Sequence, residues 1–258
     1  MKKKITFVII IGLILSLVGG TVYYINDYYR AEDMAVSLIS TPNTSVEVTE
    51  ENGVYTFAPQ NATKGVIFYP GGKVEAESYA PLMHSLAEKG VLSILVTMPG
   101  NLAVLDMNAA DGIIEKHHEI ENWYMAGHSL GGSMAASYIA ENADSFNGLI
   151  LLASYSTADL SELGLEVLSI YGSNDGVLNM EKYSEYKPNL PEDFEEMIID
   201  GGCHAYFGAY GEQEGDGKAN ITRETQVSVT VYRIIEFINN LKKATFIKKT
   251  LDECGIWF

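Results

Sequence analysis

The sequence predicts an α/β fold in which a mostly parallel central sheet is covered by helices on both faces. Two observations indicate this fold. The chain has 258 residues, of which 47% are hydrophobic and 20% charged, so it can bury one large core. Apolar, strand-like runs alternate along it with stretches of helical periodicity, as they do in proteins whose parallel sheet is packed between helices.

The first element is an apolar segment at the N-terminus. Three lysines at residues 2–4 precede an uncharged run over residues 5–25, about the length needed to span a bilayer. The lysines predict that this end stays in the cytoplasm and the domain faces outward. A cleaved signal peptide, with Val18-Gly19-Gly20 as the small-residue site, is the alternative. We therefore expect residues 1–28 to be an anchor in the cell membrane or a signal segment of a secreted protein.

The predicted domain follows a short connection. Residues 29–46 are interpreted as a stalk, residues 47–243 as the domain and residues 244–258 as a C-terminal tail. Within the domain, residues 65–69 read as an early strand, followed by Pro70-Gly71-Gly72-Lys73. Proline has no N–H, and glycines allow a close backbone approach, so the N–H of Gly72, or else that of Lys73, is free to face a ligand. The next helix carries one apolar face, formed by Tyr79, Leu82, Met83 and Leu86.

The central motif is Gly127-His128-Ser129-Leu130-Gly131, which fits the pattern G-x-S-x-G. Residues 123–126 before it read as a buried strand, and residues 132–139 after it read as a tightly packed helix. A serine on such a strand-to-helix turn has its hydroxyl exposed above the sheet edge, and the next backbone N–H faces the same point. The motif predicts Ser129 as a nucleophile. It also predicts an oxyanion hole formed by the N–H groups of Leu130 and Gly72.

A serine nucleophile needs a histidine and an orienting carboxylate. Strand-like residues 165–171 are followed by Asp175 in a turn, and strand-like residues 194–199 are followed by His204. The order serine, acid, histidine is the one that a sheet of this kind uses. Asp200 is a rival acid, but it lies on the same loop as the histidine. No other histidine follows Asp175, which leaves His204 as the predicted base.

Only about a dozen residues separate the strand that ends near Ala153 from the strand that begins near Leu165. We therefore expect no separate cap domain and a fairly open site. A last helix carries an apolar face formed by Val227, Val231, Ile234, Ile235, Ile238 and Leu241.

A family resemblance covers about residues 54–240, and four stretches of the chain carry it. They are Phe68-Tyr-Pro-Gly-Gly-Lys-Val74, Gly127-His-Ser-Leu-Gly-Gly132, Tyr171-Gly-Ser-Asn-Asp175 and Gly201-Gly-Cys-His-Ala-Tyr-Phe-Gly208. In these the chain resembles an α/β-hydrolase of the lidless, dienelactone-hydrolase-like kind, also called α/β-hydrolase family 5 or carboxymethylenebutenolidase-like. The resemblance implies the α/β-hydrolase fold and the triad Ser129, Asp175 and His204. Dienelactone hydrolase itself has a cysteine nucleophile, so its substrate is not carried over.

The net charge of the chain limits the classes of partner that it can bind. The formal net charge is −17; residues 1–30 carry three lysines, one arginine and one aspartate, which leaves 13 basic and 33 acidic residues, or −20, for the rest. So acidic a surface repels nucleic acid, and we expect no nucleic-acid partner. The acidic loop of residues 211–217 does not have the spacing of an EF-hand, so it is interpreted as a solvated rim near the site and no metal is predicted.

These observations together predict a serine esterase. Its substrate is expected to be a small-molecule carboxylic ester with a small or medium acyl group, and no cofactor is implied. The membrane is expected as a partner only through the N-terminal segment. Acyl transfer to another hydroxyl, with the same triad, is one alternative. A catalytically silent module that binds an acylated ligand is another, although its signature would be a broken triad.

Overall fold

A computed structural model describes residues 2–40 and 45–239 of the chain. Eight strands form one sheet in the order β1-β2-β4-β3-β5-β6-β7-β8. Strands β3 to β8 run parallel to one another, whereas β2 is antiparallel to both of its neighbours. The strands are β1 Val46–Glu51, β2 Val54–Pro59, β3 Lys64–Tyr69, β4 Leu92–Val96, β5 Asn122–His128, β6 Gly148–Leu152, β7 Glu166–Gly172 and β8 Glu195–Ile199.

Helices cover both faces of this sheet. They are α1 Lys2–Asn26, α2 Asp33–Ser40, α3 Ala80–Glu88, α4 Leu130–Glu141, α5 Met180–Tyr186 and α6 Arg223–Ile238. Side chains alternate between the faces along each strand. Val66 and Phe68 of β3 therefore point into a core shared with α2, α3 and α6, while Ile67 and Tyr69 point into a second core shared with α4. The predicted α/β fold with a mostly parallel sheet is confirmed.

The predicted apolar helix faces lie in the first of these cores. The four positions of α3 and its preceding turn are at most 1% exposed, and Val227, Val231, Ile234 and Ile238 of α6 are also buried. Ile235 is half-buried, and Leu241 lies outside the described residues.

The structure has no separate cap domain in the part of the chain that it describes. Between β6 and β7 the chain forms only turns, as expected. A longer excursion over residues 97–121, between β4 and β5, contains only short 3₁₀ turns. The sequence did not predict this excursion.

The N-terminal segment forms α1 and then lies against the domain. Residues 29–46 were predicted as a stalk, but Tyr29 pairs with Val74 in a parallel bridge, and α2 buries Ala35 in the core. Glu32 forms a bidentate ion pair with Arg223 at the start of α6. Where side chains are described, which excludes residues 2–8, 23, 25 and 26 of α1, no helix has the length and apolar character needed to cross a membrane. The predicted tail lies outside the described residues.

Candidate active site

Ser129 sits on a strained turn between β5 and α4. Its backbone has φ 52° and ψ −124°, in a region that residues other than glycine rarely occupy. Two hydrogen bonds hold it there. Its N–H donates to the carbonyl of Leu152 at 2.9 Å, and its carbonyl accepts from the Ser154 hydroxyl at 2.7 Å. Strain that neighbouring strands hold in place in this way is typical of functional sites.

The two outer glycines of the motif leave no room for a side chain, because a Cβ at either position would clash with nearby backbone atoms. A Cβ on Gly127 would lie 2.6 Å from the carbonyl of Gly131. A Cβ on Gly131 would overlap the carbonyl oxygens of Tyr69 and Pro70. The turn therefore packs directly against the loop that follows β3, and this contact brings the two loops together.

Asp175 and His204 form a buried pair. They follow the neighbouring strands β7 and β8, and Asp175 Oδ2 lies 2.9 Å from His204 Nδ1, with both side chains at most 2% exposed. The other carboxylate oxygen accepts from the N–H groups of Val177 and Leu178. An ionised carboxylate only accepts, so in the neutral imidazole the proton lies on Nδ1 and Nε2 has the lone pair. That Nε2 is buried and has no hydrogen-bond partner among the described residues.

The rival acid, Asp200, lies elsewhere. It is exposed, and its carboxylate accepts a hydrogen bond from the hydroxyl of Ser173 at 3.3 Å. It is Asp175 that reaches the ring of His204.

The loop after β3 leaves one backbone donor free. The N–H of Gly71 donates to the hydroxyl of Tyr79 at 3.0 Å, and that of Lys73 donates to the carbonyl of Asn101 at 2.7 Å. Among the described residues, the N–H groups of Gly72 and Leu130 have no acceptor. Leu130 is the first residue of α4, where helix N–H groups are unpaired.

These two free donors lie near each other. A Cβ on Gly72 would be 2.9 Å from Cδ2 of Leu130. Two free donors on adjoining loops can serve an oxyanion together. The Lys73 alternative is disfavoured, because its N–H is already bonded.

A second buried histidine lies against His204. The ring centroids of His128 and His204 are 4.4 Å apart, and His128 Nδ1 is 2.8 Å from the hydroxyl of Tyr79. The same Tyr79 hydroxyl also accepts from the N–H of Gly71. Burial, together with the neighbouring His204, holds the pKa of His128 well below its ordinary value. His128 is therefore neutral at physiological pH.

The segment that contains these groups matches a known family. The model of the alpha/beta hydrolase family matches residues 65–228, which is more than half of the chain. This chain belongs to the alpha/beta hydrolase family. The match includes Ser129, Asp175, His204 and both free donors.

Several solved structures share the fold of this α/β hydrolase. Dienelactone hydrolase from Anabaena variabilis superposes with a TM-score of 0.57 at 13% identity, covering 77% of this chain and all of that one. Est1E from Butyrivibrio proteoclasticus gives 0.54 at 14% identity, with 76% of this chain and all of that one covered. The Francisella virulence factor BioJ gives 0.58 at 16% identity, with 81% and 89% covered.

At these identities the likeness concerns the fold. The family match makes the protein a hydrolase enzyme. No curated protein matches the chain in sequence.

Several residues around the site of this α/β hydrolase were not predicted from the sequence. Gln226 of α6 is fully buried and brackets Cys203, accepting from its N–H at 3.0 Å and donating to its carbonyl at 2.8 Å. The contact holds the residue before His204. Burial raises the pKa of the Cys203 thiol to about 12, so it stays protonated. A lone glutamine in a helix gives no signal of such a role in the sequence.

The loop of residues 211–217 was interpreted as a solvated rim near the site, and its residues are indeed exposed or half-buried, but the role of Asp216 was not predicted. The side chain of Asp216 turns inward and accepts from the N–H of His204 at 3.1 Å and of Ala205 at 2.9 Å. The loop of residues 211–217 folds back on the histidine loop, because those N–H groups need acceptors. The sequence of an acidic loop does not indicate whether its carboxylates face water or protein.

Proposed function

We propose that this α/β hydrolase is a serine carboxylesterase that acts through an acyl-enzyme on esters with a small or medium acyl group. One observation carries the proposal. Asp175 fixes the His204 ring so that Nε2 is left as a free base, at the edge of the sheet where Ser129 is held on its strained turn.

The proposed reaction begins at Ser129. Its Oγ attacks the ester carbonyl carbon while His204 Nε2 takes the hydroxyl proton. Asp175 keeps the Nδ1 proton in place and stabilises the imidazolium. The N–H groups of Gly72 and Leu130 donate to the oxyanion, where negative charge develops.

The tetrahedral intermediate then collapses. The imidazolium gives its proton to the leaving alcohol, and the C–O bond of the ester breaks to leave an acylated serine. A water molecule, deprotonated by His204, attacks this acyl-enzyme and releases the carboxylic acid. The serine hydroxyl regains its proton from the histidine, so the enzyme returns unchanged.

Two features support a soluble, modest-sized ester as the substrate. The described residues include no cap domain that would have to open on a lipid surface. Among the structural relatives, Est1E from Butyrivibrio proteoclasticus has been solved with ferulic acid bound, a carboxylic acid of modest size. A product of this class fits the reaction written above.

We further propose that residues 5–25 anchor the enzyme in the cell membrane with the domain outside the cytoplasm. The support is the run of uncharged residues after three lysines, together with apolar side chains on α1 such as Leu13 and Leu17, which are about two-thirds exposed. Membrane fractions of cells that express the full chain test this. Retention after carbonate washing supports the anchor, whereas a shortened protein in the medium indicates a signal peptide.

Labelling tests the nucleophile. The full chain is treated with a fluorophosphonate probe and assayed on p-nitrophenyl esters of increasing acyl length. We expect labelling of the wild type, no labelling of Ser129→Ala, and a kcat for that variant lower by about 10⁴-fold or more. Release of free acid, measured directly, distinguishes hydrolysis from acyl transfer. A folded wild type that neither labels nor turns over would exclude the mechanism.

The two acids give a matched test of the proposed triad. Asp175→Asn puts an amide where the carboxylate accepts the Nδ1 proton, which favours the wrong tautomer of His204; kcat should fall by about 10⁴-fold. Asp200→Asn makes the same change on an exposed carboxylate of the neighbouring loop and should leave kcat unchanged. The reverse ranking would assign the acid to Asp200.

A further inference from the structure

Asp216 lies on the loop of residues 211–217 and bonds to both loops that carry the Asp–His pair. Its Oδ1 accepts from the N–H of Gly176 at 3.1 Å, directly after Asp175. The same oxygen accepts from the N–H of His204 at 3.1 Å, and Oδ2 accepts from that of Ala205 at 2.9 Å. We propose that Asp216 is a positioning residue that locks the Asp175 loop and the His204 loop into catalytic register.

The Asp175–His204 pair needs such a lock because its two members lie on separate loops. Asp175 and His204 come from different strands, so their 2.9 Å contact depends on the relative position of two irregular loops. One backbone bond, from the N–H of Asn174 to the carbonyl of Gly202 at 2.8 Å, joins the loops before the pair, and Gln226 fixes only the residue before the histidine. Asp216 comes from a third segment and ties both loops to one rigid carboxylate.

The carboxylate is well suited to this role. Burial alone would raise the pKa of Asp216, but the N–H groups of Ala205, Gly176 and His204 bond to the carboxylate and lower its pKa below the ordinary range. It is therefore ionised at neutral pH, and hydrogen bonds to an ionised acceptor are roughly twice as strong as neutral ones. A fourth N–H, that of Gly217, also donates to it at 2.8 Å.

Solvent reaches this carboxylate. Asp216 lines a cavity of about 400 Å³ together with Cys203, Tyr206, Gln213 and Lys218. Removal of the side chain would leave backbone N–H groups that converge on a space open to small solutes. A carboxylate ion such as formate has the shape and charge to occupy that space.

The inference rests on the proposed esterase function, and it makes a specific kinetic claim. Asp216 does not touch the proposed reacting atoms, so its loss displaces the His204 ring without removing a substrate contact. A displacement of about 1 Å in a catalytic group can cost about 100-fold in rate. The loss should therefore appear in kcat, while KM stays close to the wild-type value.

The test uses the full chain with three substitutions. Asp216→Ala removes the carboxylate, Asp216→Asn keeps one acceptor oxygen, and Glu214→Gln removes a charge from an exposed position on the same loop. We expect kcat to fall by about 100-fold for Asp216→Ala, by less for Asp216→Asn, and not at all for Glu214→Gln. Added sodium formate should raise the kcat of Asp216→Ala in a saturable way, whereas sodium chloride at equal ionic strength should not.

Several results would overturn the inference. They are a wild-type kcat for Asp216→Ala, a rise in KM with kcat unchanged, or a loss in folded Asp216→Ala that formate does not reverse. If Asp216→Ala does not fold, the kcat of Asp216→Asn becomes the test, because asparagine has the shape of aspartate. A wild-type kcat for Asp216→Asn would overturn the proposed positioning role of Asp216. Failure of the wild type to react with the fluorophosphonate probe would instead overturn the proposed function.

Discussion

At the scale of single residues, the site combines a strained serine with two histidines packed side by side. A residue such as Ser129 in a sparsely populated backbone region costs about 1–3 kcal/mol, and its hydrogen bonds to β6 and Ser154 offset that cost. His128 adds a different constraint, because it is buried against His204 and cannot readily take up a proton. The catalytic ring thus has an uncharged neighbour.

This burial predicts a pH dependence of stability. The folded-state pKa of His128 is depressed, so its contribution to stability is complete above the unfolded pKa of about 6.5 and is lost as the pH falls below it. Below pH 6.5 the unfolded chain binds a proton that the folded protein does not. The free energy of unfolding should then fall by up to about 1.4 kcal/mol per pH unit from this one group.

Urea unfolding at pH 7.5 and pH 5 measures the effect. His128→Gln, which cannot titrate, should lose less stability between these pH values than the wild type. His118→Gln removes an exposed histidine and should behave like the wild type. An equal pH dependence for the wild type and His128→Gln would show that His128 is not the titrating group.

At the scale of elements, the N-terminal segment is joined directly to the oxyanion loop. Tyr29 donates its N–H to the carbonyl of Lys73 at 2.7 Å and accepts from the N–H of Glu75 at 2.9 Å. The Lys73 side chain contacts Asp27 at 2.6 Å, and its backbone adopts a left-handed φ of 60°. Lys73 directly follows Gly72, so these contacts fix the chain beside the proposed oxyanion donor.

Truncation tests this coupling. A protein that begins at Thr21 keeps residues 27–32 and should have the kcat of the full chain. A protein that begins at Asp33 loses the contacts of Tyr29 and Asp27 with the oxyanion loop, and its kcat should fall by about 100-fold as the Gly72 donor moves. Steady-state kinetics on one p-nitrophenyl ester, with circular dichroism to check folding, compares them. Equal kcat for the two folded proteins would show that the segment is only a connection.

At the scale of the whole molecule, charge is the dominant feature. A formal net charge of −17, concentrated in the domain, makes the compact state repel itself. Salt screens this repulsion, since the Debye length falls to about 10 Å at 0.1 M.

We therefore expect the protein to be more stable in salt. Between low ionic strength and 0.5 M salt, Tm should rise by about 3 °C, which corresponds to about 1 kcal/mol in a domain of this size. Differential scanning calorimetry in sodium chloride and in potassium chloride measures it. Equal rises in the two salts indicate screening, whereas a flat or falling Tm would contradict a stability limited by repulsion.

The sequence by itself determined the fold class and the positions of the candidate catalytic groups along the chain. Strand, turn and helix signals are local, so the turn at Ser129 and the loops of Asp175 and His204 could be located from a few neighbouring residues each. The family resemblance depended on the same short segments. The absence of a cap domain between β6 and β7 could be predicted because the segment that joins these two strands is too short to form one.

Only the tertiary structure decided how the loops are held together. Asp216 bonds to Gly176 across 40 residues, and Gln226 reaches Cys203 across 23. Tyr29 pairs with Val74, and β2 inserts between β1 and β4. No local pattern marks such contacts, because the direction in which a polar side chain points depends on which distant backbone groups still lack a partner once the sheet has formed.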